Sequence, residues 1–434
     1  MRNMKDSGVE WIGEIPAHWD LVRLKSLIEA RDGGAWGEEA AGRDGDMICL
    51  RIADFDYQRY CFKSHGELTV RHYKPDVIDR LRLVPGDILV EKSGGGEKTP
   101  VGRAVIFDKD YPALYANFMD RLRCKDGINP QWILYNWANL YANNYTRPYI
   151  KQTTGIQNLD ISALLSSQFI ALPSADEQEK ILGAVLSESK KVDTLIENVQ
   201  VQIEKLKAYK QSVIIEVVTK GLDPTVPMKD SGVEWIGEIP ENWSTIRVKQ
   251  LLKERKERSV DGSEEPLSMS QKVGLVPTKM LDMIPNMASS FVGAKLTYVD
   301  DLVFNKLKAH LGVFSVSKYD GLVSPDYAVY YSTGKVHLKY LEYLFKTPQC
   351  ISEFRKRSTG IAAGLTRLYT DGLFAIECPF PTMEEQMAII DYLNEKCAQI
   401  DKLIAIKQKK IDKLNEYKKS LVYEYVTGKK EAAV

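Results

Sequence analysis

The hydrophobic pattern between residues 174 and 221 predicts one long helix. Apolar residues recur every three or four positions and leave the Glu, Lys and Gln residues to face water. Ser174 with Glu177 predicts a capping box at the start, and Gly221 followed by Pro224 predicts the end. A helix of about 45 residues is roughly 65–70 Å long, and its narrow stripe needs a partner. The stripe consists of Ile181, Val185, Val192, Leu195, Ile196, Val199, Ile203, Leu206 and Val213.

The same pattern returns 208 residues later, between residues 382 and 428. Glu385-Gln386 corresponds there to Glu177-Gln178 of the first stretch, and Lys407 replaces an apolar residue. Two matched stripes predict that the helices pack against each other as a coiled coil or bundle seam. The alternative is a pair of bundle helices in two unrelated domains. The second stripe consists of Ile389, Leu393, Ile400, Leu403, Ile404, Ile411, Leu414 and Leu421.

A second repeat precedes each long helix. Residues 4–16 and 228–240 both read MKDSGVEWIGEIP and are identical at all 13 positions. The chain is therefore a tandem duplication of an opening segment, a variable body and a long helix. Each opening segment places tryptophans around Gly and Pro, which indicates a strip that docks its aromatic side chains into a core.

The two bodies, residues 29–172 and 253–380, differ in length and show little identity. Each has a turn followed by a short apolar strand, at 85–90 and at 299–304. Alternating runs at 103–107 and 327–331 predict further strands, and stretches at 131–141 and 336–345 predict helices. Each body is therefore expected to be a mixed α+β globule. A duplicated frame that carries two unlike bodies favours a recognition protein with two different binding heads.

Composition sets the outer limits. The 434 residues exceed the usual size of one core, and the contents of 44% hydrophobic and 27% charged residues are ordinary for a globular protein. The formal net charge is zero, so a nucleic-acid partner would need local basic faces. Six scattered cysteines without CxxC spacing favour a reducing cytosol, and we expect neither a signal peptide nor a membrane span. The expected location is cytoplasmic.

Residues 91–100, EKSGGGEKTP, form the most tempting loop for chemistry. The spacing does not fit a phosphate-binding GxxxxGK[ST] motif, and Pro100 would stop the helix that such a loop must open. A Lys-bearing loop whose backbone approaches a nucleic-acid phosphate is the better interpretation, with a plain surface loop as the alternative. Neither a methyltransferase motif, a nuclease cluster nor His with metal spacing is recognisable. We expect no catalytic site, cofactor site or metal site.

Basic and aromatic residues interleave within the bodies. From Lys346 to Tyr369 five cations face Glu353 alone, so that 5 − 1 = +4. Positive charge concentrated in a neutral protein favours an anionic partner. Any single member is more often a solvated charge than a base contact. The candidate DNA-binding residues are Arg51, Lys92, Lys98, Arg103, Arg147, Lys151, Lys306, Lys308, His310, Lys356, Arg357 and Arg367.

The doubled GVEWIGEIPxxW segment, the Glu-Gln start of each long helix and the two unlike bodies resemble the specificity subunit of type I restriction-modification enzymes. The resemblance covers the whole chain. It implies an α+β fold in which two mixed target recognition domains are separated by two long antiparallel helices that form a coiled coil. The implied divisions are a first target recognition domain at 1–173, a spacer helix at 174–221, a linker with the second target recognition domain at 222–380, a second spacer helix at 381–428 and a tail at 429–434.

The same resemblance implies partners. The subunit would bind double-stranded DNA without catalysis and dock two methyltransferase subunits and ATP-dependent restriction subunits. S-adenosylmethionine, ATP and Mg²⁺ would belong to those partners, with no cofactor in this chain. Base edges would then be read in the grooves while Lys and Arg fix the register on phosphates. The rival interpretations are an assembly scaffold without sequence readout and a self-sufficient DNA methyltransferase or nuclease.

Overall fold

The structure is a computed structural model, and it describes residues 3–63, 66–153, 155–271, 273–281, 290–360 and 366–432. The chain forms two compact units. The first unit comprises Met1–Val199 and Lys409–Val434, and the second comprises Gln200–Gln408. Each unit therefore contains one body, together with one part of each long helix.

The helices of the described residues are α1 Pro75–Leu81, α2 Pro130–Ala142, α3 Ile161–Ser167, α4 Ala175–Lys220, α5 Val248–Leu251, α6 Leu338–Phe345, α7 Pro348–Arg357, α8 Thr370–Phe374 and α9 Met383–Val426. The strands described in the first unit are β1 Met4–Asp6, β2 Glu14–Pro16, β3 Asp20–Arg23, β4 Ile28–Gly33, β5 Glu38–Glu39, β6 Asp46–Leu50, β7 Phe55–Asp56, β8 Cys61–Phe62, β9 Val70–His72, β10 Ile88–Glu91, β11 Ser93–Gly94, β12 Ala104–Ile106, β13 Ala113–Tyr115, β14 Met119–Cys124, β15 Ile150–Thr153, β16 Ile156–Leu159 and β17 Phe169–Leu172. Those described in the second unit are β18 Met228–Asp230, β19 Glu238–Pro240, β20 Ser244–Arg247, β21 Leu252–Glu254, β22 Leu267–Ser270, β23 Gly274–Pro277, β24 Lys295–Thr297, β25 Leu302–Asn305, β26 Phe314–Val316, β27 Gly321–Val323, β28 Tyr327–Ser332 and β29 Glu377–Phe380.

The two long helices are confirmed as α4 and α9, with 46 and 44 residues. At the start of α9, Thr382 and Glu385 form a reciprocal capping box: the Glu385 N–H donates to Thr382 Oγ1 at 3.2 Å, and the Thr382 N–H donates to Glu385 Oε2 at 2.9 Å. At the start of α4, the Glu177 N–H donates to Ser174 Oγ at 3.4 Å. Both helices end before a glycine with positive φ, Gly221 or Gly428.

The helices pack side by side within each unit. In the first unit Lys418 Nζ on α9 pairs with Asp193 on α4 at 2.8 Å. In the second unit Lys210 pairs with Asp401 at 2.7 Å. The partners in these two ion pairs are equivalent in the repeat, since each differs from its counterpart by 208 residues.

The second unit shows the direction of the pairing. Lys407 Nζ donates to Gln202 Oε1 at 2.6 Å, whereas Lys210, further along α4, meets Asp401, earlier in α9. The helices are therefore antiparallel, as expected. This bond also explains why a lysine is tolerated at the exceptional stripe position.

One part of the stripe prediction is wrong. Leu195 and its equivalent Leu403 are each 48% exposed. The buried seam on α4 includes Val192 and Val199, and Ile196 is half-buried between them. Because a helix turns about 100° per residue, Leu195 lies beside this seam and faces solvent.

Both bodies contain the same four-stranded antiparallel sheet. Its order is β12-β10-β14-β4 in the first unit and β26-β25-β28-β21 in the second. The predicted strands at 85–90, 103–107, 299–304 and 327–331 correspond to β10, β12, β25 and β28. The predicted helices at 131–141 and 336–345 correspond to α2 and α6. The bodies are thus mixed helix and strand, as predicted, and they share this sheet despite their low identity.

The turn before the shared strand is built in the same way twice. Asp87 and Asp301 are buried, and each carboxylate accepts a backbone N–H at 2.9 Å from the residue three positions before it. Arg123 pairs with Asp87 and Arg255 pairs with Asp301, both at 2.7 Å. The buried charges are thereby compensated, which fixes where β10 and β25 begin.

The repeated opening segments pack onto the ends of the long helices. In the first unit Trp11 and Trp19 share a buried core with the last turns of α9. In the second unit Trp243 lies in a core with the last turns of α4. The prediction that these aromatic residues serve the core is confirmed.

The Glu-Gln pair at the start of each helix attaches that helix to its own unit. The Trp243 indole donates to Glu385 Oε1 at 3.0 Å. Gln178 Nε2 and Gln386 Nε2 each donate to a proline carbonyl at 3.0 Å. The repeated residues therefore form one structural frame, present once in each unit.

Candidate nucleic-acid interface

The end of the shared strand carries an equivalent lysine in each unit. Lys92 follows β10 and Lys306 follows β25. The Lys92 carbonyl accepts from the Leu159 N–H at 2.8 Å, and the Lys306 carbonyl accepts from the Leu368 N–H at 3.0 Å. Both lysines were predicted as DNA-binding residues from the sequence, but their equivalence was not, although the shared turn and strand indicate it.

The two lysines differ in their electrostatic surroundings. Lys92 Nζ pairs at 2.9 Å with Asp120, a buried carboxylate that also binds Arg31. In the described residues Lys306 has no carboxylate partner. The pKa of Lys306 is lowered mainly by burial and, to a smaller extent, by the charge of Lys295. The same backbone position therefore presents a compensated charge in one unit and an uncompensated charge in the other.

Arg103 is built into the first body. It makes two hydrogen bonds to Glu91, at 3.0 and 2.7 Å, and its guanidinium lies 3.7 Å from the centre of the Tyr57 ring. Burial lowers the pKa of Arg103, but the hydrogen bonds to Glu91 and the charge of Glu91 together raise it by more, so that the net shift is upward. Tyr57 also donates to Glu91 through its hydroxyl. This Tyr57–Glu91–Arg103 cluster joins residues distant in sequence, and of the three only the arginine was predicted from the sequence.

Two further candidates in this body are paired near the surface. Arg51 pairs with Asp54 at 2.9 Å, and that carboxylate raises the pKa of Arg51. Lys151 pairs with Asp160 at 3.1 Å and is largely exposed. The more exposed pair of Lys151 is weak, so this cation can exchange its carboxylate for a phosphate at little cost, whereas Asp54 is only 15% exposed and holds Arg51 more firmly.

Lys98 and Arg147 are exposed, and neither has a carboxylate partner in the part of the chain that the structure describes. Both line one cavity of about 350 Å³. The Gly-rich loop that carries Lys98 follows strand β11 and leads to strand β12, and it opens no helix. Two cations that are unpaired among the described residues thus line the same cavity of the first body.

In the second body Lys308 and His310 lie in the short connection between β25 and β26. Lys308 is exposed, whereas His310 Nδ1 is buried without a hydrogen-bond partner among the described residues. Together with Lys306 they form the basic end of this strand pair.

The basic run from Lys346 to Tyr369 is less positive in the structure than its sequence indicates. Lys356 and Arg357 both pair with Glu353, at 2.8 and 3.4 Å. Arg367 lies 3.6 Å from Asp326. Lys346 pairs with an acid outside the run, at 2.6 Å, so in the described residues Arg355 alone of the five cations has no carboxylate partner. Residues 361–365 of this run lie outside the described residues.

Among the described residues, no three His, Cys, Asp or Glu side chains lie close enough to hold a metal ion. No described helix is long and apolar enough to cross a membrane.

In the described residues, two antiparallel long helices and a duplicated frame thus carry two bodies that share one sheet and differ in their basic surfaces. Comparison with protein-family models found no match. The sequence is 26% identical over 429 residues to a protein of Methanocaldococcus jannaschii named as a type I restriction enzyme MjaX specificity subunit, covering 96% of this chain and 95% of that one. It is 25% identical to the MjaVIII specificity subunit of the same organism, over 64% of this chain and 65% of the relative.

A solved structure of a type I restriction-modification system, described for its complex assembly and conformational transition, shares the fold. It covers 95% of this chain and 98% of its own, with a TM-score of 0.66 and 13% identity. The chain is thus similar over nearly its whole length to a specificity subunit of a type I restriction enzyme, and it shares its fold with a structure of such a system. The resemblance expected from the repeated segments is confirmed.

Proposed function

We propose that the chain is the non-catalytic DNA-specificity subunit of a type I restriction-modification complex. Its bodies, within residues 1–173 and 222–380, would act as target recognition domains that each read one half of a bipartite, asymmetric DNA site. The observation that carries the proposal is that one sheet and one frame occur twice, whereas the charge at the equivalent lysines is paired at Lys92 and unpaired at Lys306 among the described residues. Equal scaffolds with unequal contact residues suit two unequal half-sites.

The candidate DNA-contacting residues differ in whether a carboxylate pairs with them. Lys98 and Arg147 in the first unit, and Lys306 and Lys308 in the second, have no carboxylate partner among the described residues. Such cations are free to neutralise phosphates, and each phosphate contact adds about 0.9 to the slope of log affinity against log salt. Arg103 is rigid and planar beside Tyr57, which suits contact with a base edge.

The partners follow from the same duplication. We propose that each unit docks one methyltransferase subunit, which supplies S-adenosylmethionine, and that restriction subunits supply ATP and Mg²⁺ chemistry. Support comes from exposed apolar residues at equivalent positions on the long helices. Leu195 matches Leu403, and Tyr209 matches Tyr417, and all four are about half exposed. Surface apolar residues retained in pairs are suited to a partner that binds twice.

We propose further that the length of the long helices sets the spacing between the half-sites. Half-sites read from one side of a duplex lie about one turn, roughly 10 bp, apart. Adding or removing one helical repeat should therefore change the unread spacer and leave both half-sites intact.

The proposal is tested by binding the full chain, with its methyltransferase partner, to duplexes that carry the methylated target or a random sequence, across a series of salt concentrations. A specificity subunit prefers the target by at least about 1,000-fold. A scaffold shows no preference, and a steep salt slope without preference indicates phosphate contacts alone. Methyl transfer or cleavage by the purified chain without partners would indicate a self-sufficient enzyme instead.

A further inference from the structure

A cavity of about 350 Å³ in the first unit has walls of tyrosine rings. Tyr57, Tyr60 and Tyr141 line it, and each ring is held in place. The Tyr57 hydroxyl donates to Glu91, and the Tyr141 hydroxyl donates to the Pro100 carbonyl at 2.9 Å. Tyr60 packs edge-on against another tyrosine ring at 5.8 Å between centroids. The cavity therefore offers a rigid aromatic surface, which favours stacking because little side-chain freedom remains to be lost.

Positive charge surrounds these rings. Lys98, Arg147 and Lys419 line the same cavity, and in the described residues none of the three has a carboxylate partner. Arg103 also lines it, but Glu91 compensates its charge. No Asp or Glu is among the described residues that line the cavity. In a chain of formal net charge zero, this concentration of unpaired cations selects an anionic ligand.

The backbone around the cavity is strained. Tyr60 has φ +57° and Asn144 has φ +64°, and they are two of the three non-glycine residues with positive φ in the described part of the chain. Such strain persists only where the surroundings enforce it and is frequent at ligand sites. Here Lys418 Nζ, on α9, donates to the Gln58 carbonyl at 3.0 Å and holds the loop that carries Tyr57 and Tyr60.

We propose that this tyrosine cavity binds a single nucleotide, with its base against the rings and its phosphate at Lys98, Arg147 and Lys419. The volume is near the lower limit of small-ligand sites, so that one nucleotide fits better than a dinucleotide cofactor. Every base presents a π face to an aromatic ring, and Arg and Lys bind phosphate through charge-assisted hydrogen bonds. The nucleotide has two sources: a free nucleoside monophosphate, or a residue turned out of the bound DNA strand, which rests on the proposed function.

Calorimetric titration of the full chain with AMP, ribose 5-phosphate and adenosine tests the first source. AMP should bind, and the two fragments, each lacking one half of the ligand, should bind at least about tenfold more weakly. Ala142→Trp fills the cavity from the exposed end of α2, and Arg147→Gln removes one rim cation. Both variants should lose AMP binding by about tenfold or more. The matched control is Lys409→Ala, an exposed lysine on α9 outside the cavity, which should bind AMP like the parent chain.

Duplexes with 2-aminopurine at each adenine of the methylated target test the second source. Fluorescence at one position should rise when the chain binds, and Ala142→Trp should abolish the rise while Lys409→Ala retains it. The proposal is overturned if AMP does not bind and no position responds, or if the tryptophan variant and the control behave alike. If sequence preference persists while both probes fail, only the cavity assignment falls. If AMP binds while the chain shows no sequence preference, the proposed function falls and the cavity assignment stands.

Discussion

Replacing Lys418 by Ala tests whether the cross-helix ion pairs stabilise the units in proportion to their burial. The Lys418 side chain is only 11% exposed and donates to both carboxylate oxygens of Asp193, at 2.8 and 2.9 Å, and to the Gln58 carbonyl at 3.0 Å. The repeat supplies a matched control in Lys210, whose side chain is 28% exposed and whose partner Asp401 is 58% exposed.

The expected magnitudes differ clearly. Breaking a buried ion pair lowers the free energy of unfolding by about 3–5 kcal/mol. Asp193 is 29% exposed and water would solvate it in part, so we expect a loss of about 2–3 kcal/mol for Lys418→Ala. Lys210→Ala should cost less than about 1 kcal/mol, as exposed pairs do. At about 2–4 °C of Tm per kcal/mol for a unit of this size, the first variant should lower the melting temperature by roughly 4–12 °C and the second by less than 4 °C.

Circular dichroism melting of the full chain measures these shifts, and hydrogen exchange with mass spectrometry assigns them to a unit. The Lys418 variant should also exchange faster around Gln58, since it loses the bond that holds this loop. Equal melting shifts in both variants, or unchanged exchange around Gln58, would contradict the argument from burial.

Three further predictions concern the frame and the heads. A methyl group at Gly428 would overlap the proline ring of the first opening segment, whereas at Gly221 it would lie 3.3 Å from the nearest indole atom, and φ is positive at both positions. Gly428→Ala should therefore lower Tm more than Gly221→Ala. Equal Tm shifts would argue against the packing of that segment on α9. Burial raises the pKa of Glu385, but hydrogen bonds from an indole and from a backbone N–H together lower it below 4.5. Its contribution should thus be present above about pH 4.5 and be lost as the pH falls through the lowered pKa. Urea midpoints of the parent chain and Glu385→Gln should differ at pH 7, and the difference should shrink as the pH is lowered below 4.5. Lys306→Ala should weaken target binding and reduce the slope of log affinity against log salt by about 0.9. The control Lys335→Ala, at an exposed lysine of the same body, should change neither. Identical slopes for both variants would show that Lys306 does not contact the DNA.

The sequence predicted the frame because its signals are local and periodic. A stripe of 3.6-residue period, a capping residue and a terminal glycine determine α4 and α9 almost to the residue. Leu195 is the exception, because a three-residue and a four-residue step satisfy the helical pattern equally well. Only the helix packed against it decides which of the two side chains is buried.

The interface was less predictable because its electrostatics depend on contacts between distant segments. Glu91 ends β10 and Arg103 directly precedes the paired strand β12, and Arg367 pairs with Asp326, which directly precedes β28. Charges counted along the chain therefore overstated the basic run. The tyrosine cavity was missed for the same reason, since its lining comes from the first body and from α9, more than 270 residues later in the sequence.

The central claim is that each body reads its own half of the target. It is tested most directly by replacing residues 253–380 with a copy of residues 29–172 and sequencing the methylated adenines in cells that carry the complex. The account predicts a new methylated site in which the first half-site occurs twice and the second is absent. An unchanged site, or one in which both halves are altered, would contradict it.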